Sequence, residues 1–181
     1  MVMRCSFALD PDLMEQTRRL AGTLLGVNRR HERLIDGLLV LASSDQRIDR
    51  LVQVELADAA DQAIANVGRQ AAQAGVRISS RITSARVAGD PALLQRLVDN
   101  LVDNAVRYNI PDGGWVHVGV KADPSGAQVR VENSGPPLSE ADFEVMFEPF
   151  RRLGNADNQS NVFTGAGLGL SIVRAVADAH G

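Results

Sequence analysis

The chain has 181 residues, enough for one full domain and a smaller appendage, and its hydrophobic fraction of 45% is ordinary for a globular fold. A net charge of −3 provides no overall basic field, which argues against nucleic acid as the main partner. Cys5 is the only cysteine, so neither an intrachain disulfide nor a cysteine-based zinc site is open to the chain; a reducing compartment fits, with Cys5 as a small apolar filler. No apolar run approaches the roughly 20 residues that span a bilayer, and Met1 to Leu9 is too short for a signal peptide.

Asp10-Pro11-Asp12 is a helix start, because aspartate caps free amides and the fixed φ of proline suits the first turn. The predicted helix runs from about residue 11 to 42. Leu13, Thr17, Leu20, Leu24, Val27, His31, Leu34, Leu38 and Leu41 recur along it at spacings of four and three, the seam of a coiled coil or bundle. Such a seam needs a partner helix, from this chain or a second subunit. Gly22 and Gly26 each cost about 1 kcal/mol relative to alanine, so packing rather than propensity must hold the helix.

The polar stretch Ser43 to Arg50 is the predicted linker, dividing the chain into 1–44 and 45–181. Beyond it, residues 51–56 are expected as a strand and 57–74 as a helix stopped by Gly75. Residues 76–80 and 82–87 read as strands. Asp90-Pro91 repeats the capping signal and opens a helix to about Tyr108, with Leu94, Leu97, Val98, Leu101 and Ala105 on its buried face. Residues 115–121 and 128–132 alternate at period two around a turn at 123–126, as a hairpin does. This order predicts an α+β fold with helices on one face of a sheet.

Asn100 and Asn104 are four apart and share a helix face, which Arg107 and Tyr108 continue. Amide oxygens are hard ligands for Mg²⁺, and arginine offers a fork to phosphate oxygens. A solvated helix face is the other reading of the same stripe. Gly165-Ala-Gly167-Leu168-Gly169 precedes an apolar helix over 171–180; glycines ahead of a helix let the backbone approach a polyanion, although such turns also serve simply as turns. The segment lacks the lysine of a P-loop and no strand runs directly into it, which speaks against a dinucleotide-binding fold. Asn133, leaving a strand at Asn133-Ser-Gly135-Pro-Pro137-Leu138, can both donate to and accept from a base edge. Phe147 and Phe150, in Phe147-Glu-Pro149-Phe150-Arg151-Arg152, read as packing residues. Residues 153–164 are polar, with asparagine and glycine, and form a long loop between two candidate binding elements, suggestive of a lid.

In this order the four segments resemble the N box, first glycine box, F box and second glycine box of sensor histidine kinases, within the superfamily that includes gyrase-type and chaperone ATPases. The resemblance covers about Asp45 to Gly181. It implies a two-layer α/β sandwich of the Bergerat type preceded by a helical dimerisation segment, with ATP and Mg²⁺ at the site. By resemblance Asn104 binds Mg²⁺ with Asn100 beside it. Arg107 and Arg152 meet phosphates, Tyr108 lines the nucleotide, and Asn133 and Gly135 belong to the adenine end. Gly165, Gly167, Leu168 and Gly169 cradle the phosphates. The resemblance also implies a homodimer through the first helix, a response regulator as partner, and a cytoplasmic segment of a membrane-anchored parent.

Three departures stand out. Asn133 occupies the place of the family's aspartate, Pro137 that of its second glycine, and the family adds two strands beyond the helix that reaches Gly181. His31-Glu-Arg-Leu-Ile shares only its first acidic step with the family's acceptor sequence; His117 lies in a predicted strand and His180 at the end of a helix, so no phosphoacceptor is expected here. ATP hydrolysis would need a carboxylate to activate water; hydrolysing members of the superfamily carry a glutamate where Asn100 stands. A module with a decayed nucleotide site, serving dimerisation or protein binding, is the other alternative, and Asn133 and Pro137 keep it open.

Overall fold

A computed structural model describes residues 12–24, 51–124, 126–151 and 167–181. The chain divides into two units, Met1–Asp36 and Gly37–Gly181. In the first, residues 12–24 are helical (α1) and exposed throughout, with Leu13, Met14, Leu20 and Leu24 among its exposed side chains. The expected continuation to residue 42, Cys5, His31, the linker over 43–50, Arg152, Gly165 and the loop over 153–164 lie outside the described residues.

The second unit contains β1 (Val52–Glu55), α2 (Leu56–Gln73), β2 (Arg77–Ile82), β3 (Arg86–Gly89), α3 (Pro91–Arg107), β4 (Trp115–Asp123), β5 (Gly126–Asn133), α4 (Glu140–Val145) and α5 (Gly169–His180). β4 is central, parallel to β2 and antiparallel to β5, while β1 and β3 form a separate antiparallel pair. The parallel pairing follows from the long crossover between β2 and β4, which carries β3 and α3. Along β4, Val116, Val118 and Val120 are fully buried, while His117 and Lys121 point to the other face. Opposite the valines stand Val98 and Val102 of α3 and an alanine-rich stripe of α2: Ala59, Ala60, Ala63 and Ala71. This core is the α+β layer expected from the element order.

Local chemistry explains most boundaries. The Asp90 carboxylate accepts from the N–H groups of Ala92 and Leu93 at 2.8 and 3.0 Å and starts α3, with Pro91 in its first turn; such a cap contributes about 1 kcal/mol. Gly75, at φ +65°, follows the end of α2 as expected.

Two expectations need correction. Residues 82–87 are not one strand: Ile82 ends β2, Thr83 still donates to the Val120 carbonyl of β4, and the chain bends at 84–85 before β3 begins at Arg86. The reason is Glu55, whose carboxylate accepts from the Ser84 hydroxyl at 2.7 Å and from Ala85 N–H at 2.6 Å, holding the bend. On α3 the fully buried positions are Leu94, Val98, Val102, Ala105 and Val106; Leu97 and Leu101 are only half-buried. The helix is therefore rotated so that Val102 and Val106, not Leu101, face the sheet.

Candidate nucleotide-binding site

Asn100 and Asn104 lie half-buried on α3, facing the start of α5. A methyl group at Gly169 would stand 3.4 Å from Asn100 Oδ1 and from Asn104 Nδ2, so the backbone of α5 comes up against both amides. The stripe is thus not a freely solvated helix face. Asn100 Nδ2 is buried without a hydrogen-bond partner, a donor that costs about 1–3 kcal/mol if left unpaired.

Among the described residues, no side chain caps the start of α5. α2, α3 and α4 are capped by the side chains of Glu55, Asp90 and Ser139, but the N-cap of α5 is Leu168, whose side chain has no acceptor to offer. Free amides and the helix dipole favour an anion there by about 0.3–2 kcal/mol. Gly167 reaches this place at φ +71°, with its carbonyl accepting from Phe150 N–H at 2.8 Å. A side chain at Gly167 would collide with the backbone of Phe150 and Arg151, so these described residues approach main chain to main chain.

At the other end of α3, Tyr108 is the C-cap residue, 51% exposed and open to a ligand. Asn133 Nδ2 donates to the Tyr108 carbonyl at 3.4 Å, leaving the Asn133 amide oxygen to accept. Gly135 packs against the same carbonyl with no room for a side chain. Arg107 is less free than the sequence suggests: its Nε lies 2.8 Å from the Asp103 carboxylate one turn back, a charge contact without the alignment of a hydrogen bond. Phe147 packs edge-to-face on Phe143 with ring centroids 5.7 Å apart, as a packing residue should. Phe150 does not pack as expected; it is 60% exposed and held at φ +64° by the main-chain bond to Gly167.

Sequence reasoning missed the residues that join these parts. Asn109 donates to the carbonyls of Ala105 and Trp115 at 3.0 and 2.9 Å and accepts from Ile110 N–H and the Ser134 hydroxyl. Ser134 Oγ in turn accepts from Trp115 N–H at 2.8 Å. These bonds tie the end of α3 to the turn after β5 and fix where Asn133 stands. The only sequence signal was the turn-forming Asn109-Ile-Pro-Asp stretch, which specifies a turn and not its distant partner. Among the described residues, no group of three or more His, Cys, Asp or Glu side chains could hold a metal ion, so any metal at this site depends on the asparagine amides and on the ligand's own oxygens.

The fold has known counterparts. Residues 89–181, more than half of the chain, match the family of histidine kinase-, DNA gyrase B- and HSP90-like ATPases, and the chain belongs to that family. The sensor protein CutS of Streptomyces coelicolor is 43% identical over 172 residues, covering 95% of this chain and 41% of that protein. The sensor protein QseC of Escherichia coli K12 is 33% identical over 176 residues, 95% of this chain and 37% of its own length. The chain thus spans about two fifths of these curated relatives. Among solved structures, the mycobacterial sensor histidine kinase MprB superposes with a TM-score of 0.61 at 29% identity, covering 72% of this chain and 80% of that one. No described helix is long and apolar enough to cross a membrane.

Proposed function

We propose that the unit from about residue 45 binds Mg-ATP as the catalytic domain of a sensor histidine kinase and, in the whole protein, passes the γ-phosphoryl to a histidine outside this chain. The observation that carries this reading is the uncapped start of α5 set against Asn100 and Asn104. An anion there would meet the free amides of α5 and offer an acceptor to the orphaned Asn100 amide. The site also fits Mg²⁺: Asn104 presents a neutral oxygen ligand with Asn100 adjacent, and a triphosphate would supply the charged oxygens that Mg²⁺ prefers. Bound Mg²⁺ neutralises charge on the transferring phosphoryl group.

Each element then has a task. Gly165, Gly167, Leu168 and Gly169 bring main-chain amides to the phosphates. Arg152 reaches them from the F box, and Arg107 does so after exchanging its contact with Asp103. Tyr108 lines the nucleotide, and Asn133, supported by Gly135, accepts from the adenine amino group through its free amide oxygen. None of these groups acts as a base; the contribution of the domain is positioning and charge stabilisation. The acceptor histidine would come from the dimerisation helices of a homodimer to which α1 belongs, and a response regulator would take the phosphoryl group onward. The domain would face the cytoplasm in a membrane-anchored parent.

Calorimetric titration of the chain with ATP tests this reading. Saturable binding that needs Mg²⁺ and discriminates against GTP is expected. Absence of binding would favour a decayed site, a reading supported by the capture of Arg107 by Asp103.

A further inference from the structure

α3 and α5 pack against each other, and two widely separated places mark the ends of that contact. At the first, Gly169 opens α5 against Asn100 and Asn104. At the second, the last residue of α5, His180, reaches the beginning of α3, where the Asp90 main-chain N–H donates to His180 Nε2 at 3.1 Å. His180 Nδ1 lies 2.7 Å from the Val176 carbonyl on its own helix. Since Nε2 accepts, the ring proton resides on Nδ1 and is donated to Val176; both nitrogens are engaged in a single tautomer. The imidazole sits over the end of β3, where a methyl group at Gly89 would fall 2.6 Å from His180 Cδ2. Glycine at 89 makes the space that the ring shares with the Leu94 side chain, whose Cδ1 would lie 2.6 Å from the same methyl group.

The spacing gives this contact leverage. Asp90 and Asn104 are separated by roughly 21 Å along α3, and Gly169 and His180 by roughly 16 Å along α5, from the 1.5 Å rise of an α-helix. α5 therefore runs antiparallel to α3 and is held at both ends. Its far end has no other polar tie to α3 among the described residues: Arg174 faces Asp178 on α5 itself at 3.8 Å, and the Asp90 carboxylate is committed to Ala92 and Leu93. Loss of the His180 bond removes that polar tie and leaves the seating of α5, whose Ile172, Val173 and Val176 are buried, to apolar packing alone.

We propose that His180 is a positioning residue for the nucleotide site: by fixing α5 to the N-cap of α3, it sets where the free amides of α5 stand relative to Asn100 and Asn104. The proposal rests on the Mg-ATP reading above. It makes His180 matter for the phosphate end of the ligand and not for the base end, which is built from Tyr108 at the far end of α3 and Asn133 at the end of β5, away from α5.

The test compares His180→Phe, which keeps a ring and removes the acceptor, with His180→Gln, whose amide oxygen replaces Nε2, and with Gly89→Ala, which leaves His180 in the sequence and displaces its ring. For each variant the ratio of Mg-ATP to adenosine affinity, the melting temperature and the hydrogen exchange of residues 169–173 are measured. His180→Phe and Gly89→Ala are expected to lower the ATP-to-adenosine ratio about tenfold, the upper end of what losing one part-buried hydrogen bond does, and to speed exchange in the first turn of α5. His180→Gln should restore both. A lower melting temperature with an unchanged ratio and unchanged exchange would make the contact merely structural and overturn the proposal, as would a glutamine variant no better than phenylalanine. If the unaltered chain binds no Mg-ATP, the nucleotide reading falls, while the exchange measurements still decide whether His180 orients α5.

Discussion

Asn104 and Asn133 concentrate the chemistry of the site into two amides with opposite prospects. Asn104 meets the start of α5 with both of its amide atoms. Replacing it by aspartate puts a charge where a triphosphate should sit, and replacing it by alanine removes the oxygen ligand. Both Asn104→Asp and Asn104→Ala are expected to weaken Mg-ATP binding at least about tenfold, a loss of roughly 1.4 kcal/mol in a titration; unchanged affinity would remove Asn104 from the site. Asn133 is exposed, and its bond to the Tyr108 carbonyl, at 3.4 Å, is long. Aspartate at 133 forfeits that weak donor but offers a charged acceptor, and hydrogen bonds to charged groups contribute about 1.5–3 kcal/mol against about 0.5–1.5 for neutral ones. The gain exceeds the loss, so Asn133→Asp should bind ATP a few-fold more tightly, by roughly 0.5–1 kcal/mol, with ATP preferred to GTP in both forms. Equal affinity for the two nucleotides would dismiss Asn133 as the base reader.

At the scale of elements, the sharpest dependence on one side chain is at the β1–α2 junction. Glu55 ends β1, caps α2 through Ala57 N–H and holds the bend after β2. The Ser84 hydroxyl above all, then Ala85 N–H, lowers its pKa from the usual 4.5. A carboxylate whose pKa is depressed by folding stabilises the fold above the unfolded-state value, and that stabilisation is lost as the pH falls through the folded-state value. Glu55→Gln keeps one acceptor and loses the charge. Thermal melts should therefore show the variant less stable than the original chain at pH 7, with the gap closing as the pH falls below the usual 4.5 and through the lowered folded-state value. A gap that stays constant from pH 7 to pH 3 would show that the carboxylate charge plays no part.

For the whole molecule, catalytic apparatus and phosphoacceptor are expected to lie on different pieces of the polypeptide. His117 sits within β4 beside the Ser79 hydroxyl at 3.1 Å, and both ring nitrogens of His180 are engaged. His31 lacks the sequence surroundings of an acceptor. Incubated with Mg-ATP, the chain should not phosphorylate itself on histidine. Weak transfer to a separately supplied acceptor hairpin is the expected maximum, because lost proximity can be worth roughly 7–11 kcal/mol of barrier. Acid-labile phosphate on the chain alone is the readout; stoichiometric labelling that disappears in His31→Gln would make His31 the acceptor.

Short-range grammar in the sequence was enough to determine the order of elements, the Asp90 cap of α3, the stop at Gly75 and the β4–β5 hairpin, because capping, turn formation and period-two alternation depend on residues a few positions apart. It also located Asn100, Asn104 and the glycines before α5, since both groups are local patterns. What it left open was whether the asparagine stripe faces solvent or another element of the fold, and only the packing of α5 on α3 decided that. The rotation of α3, the break between β2 and β3, the Asn109–Ser134–Trp115 bonds and the His180 tie to Asp90 all join residues distant in sequence. Their partners are chosen when the layers pack against one another, so no pattern along the chain announces them.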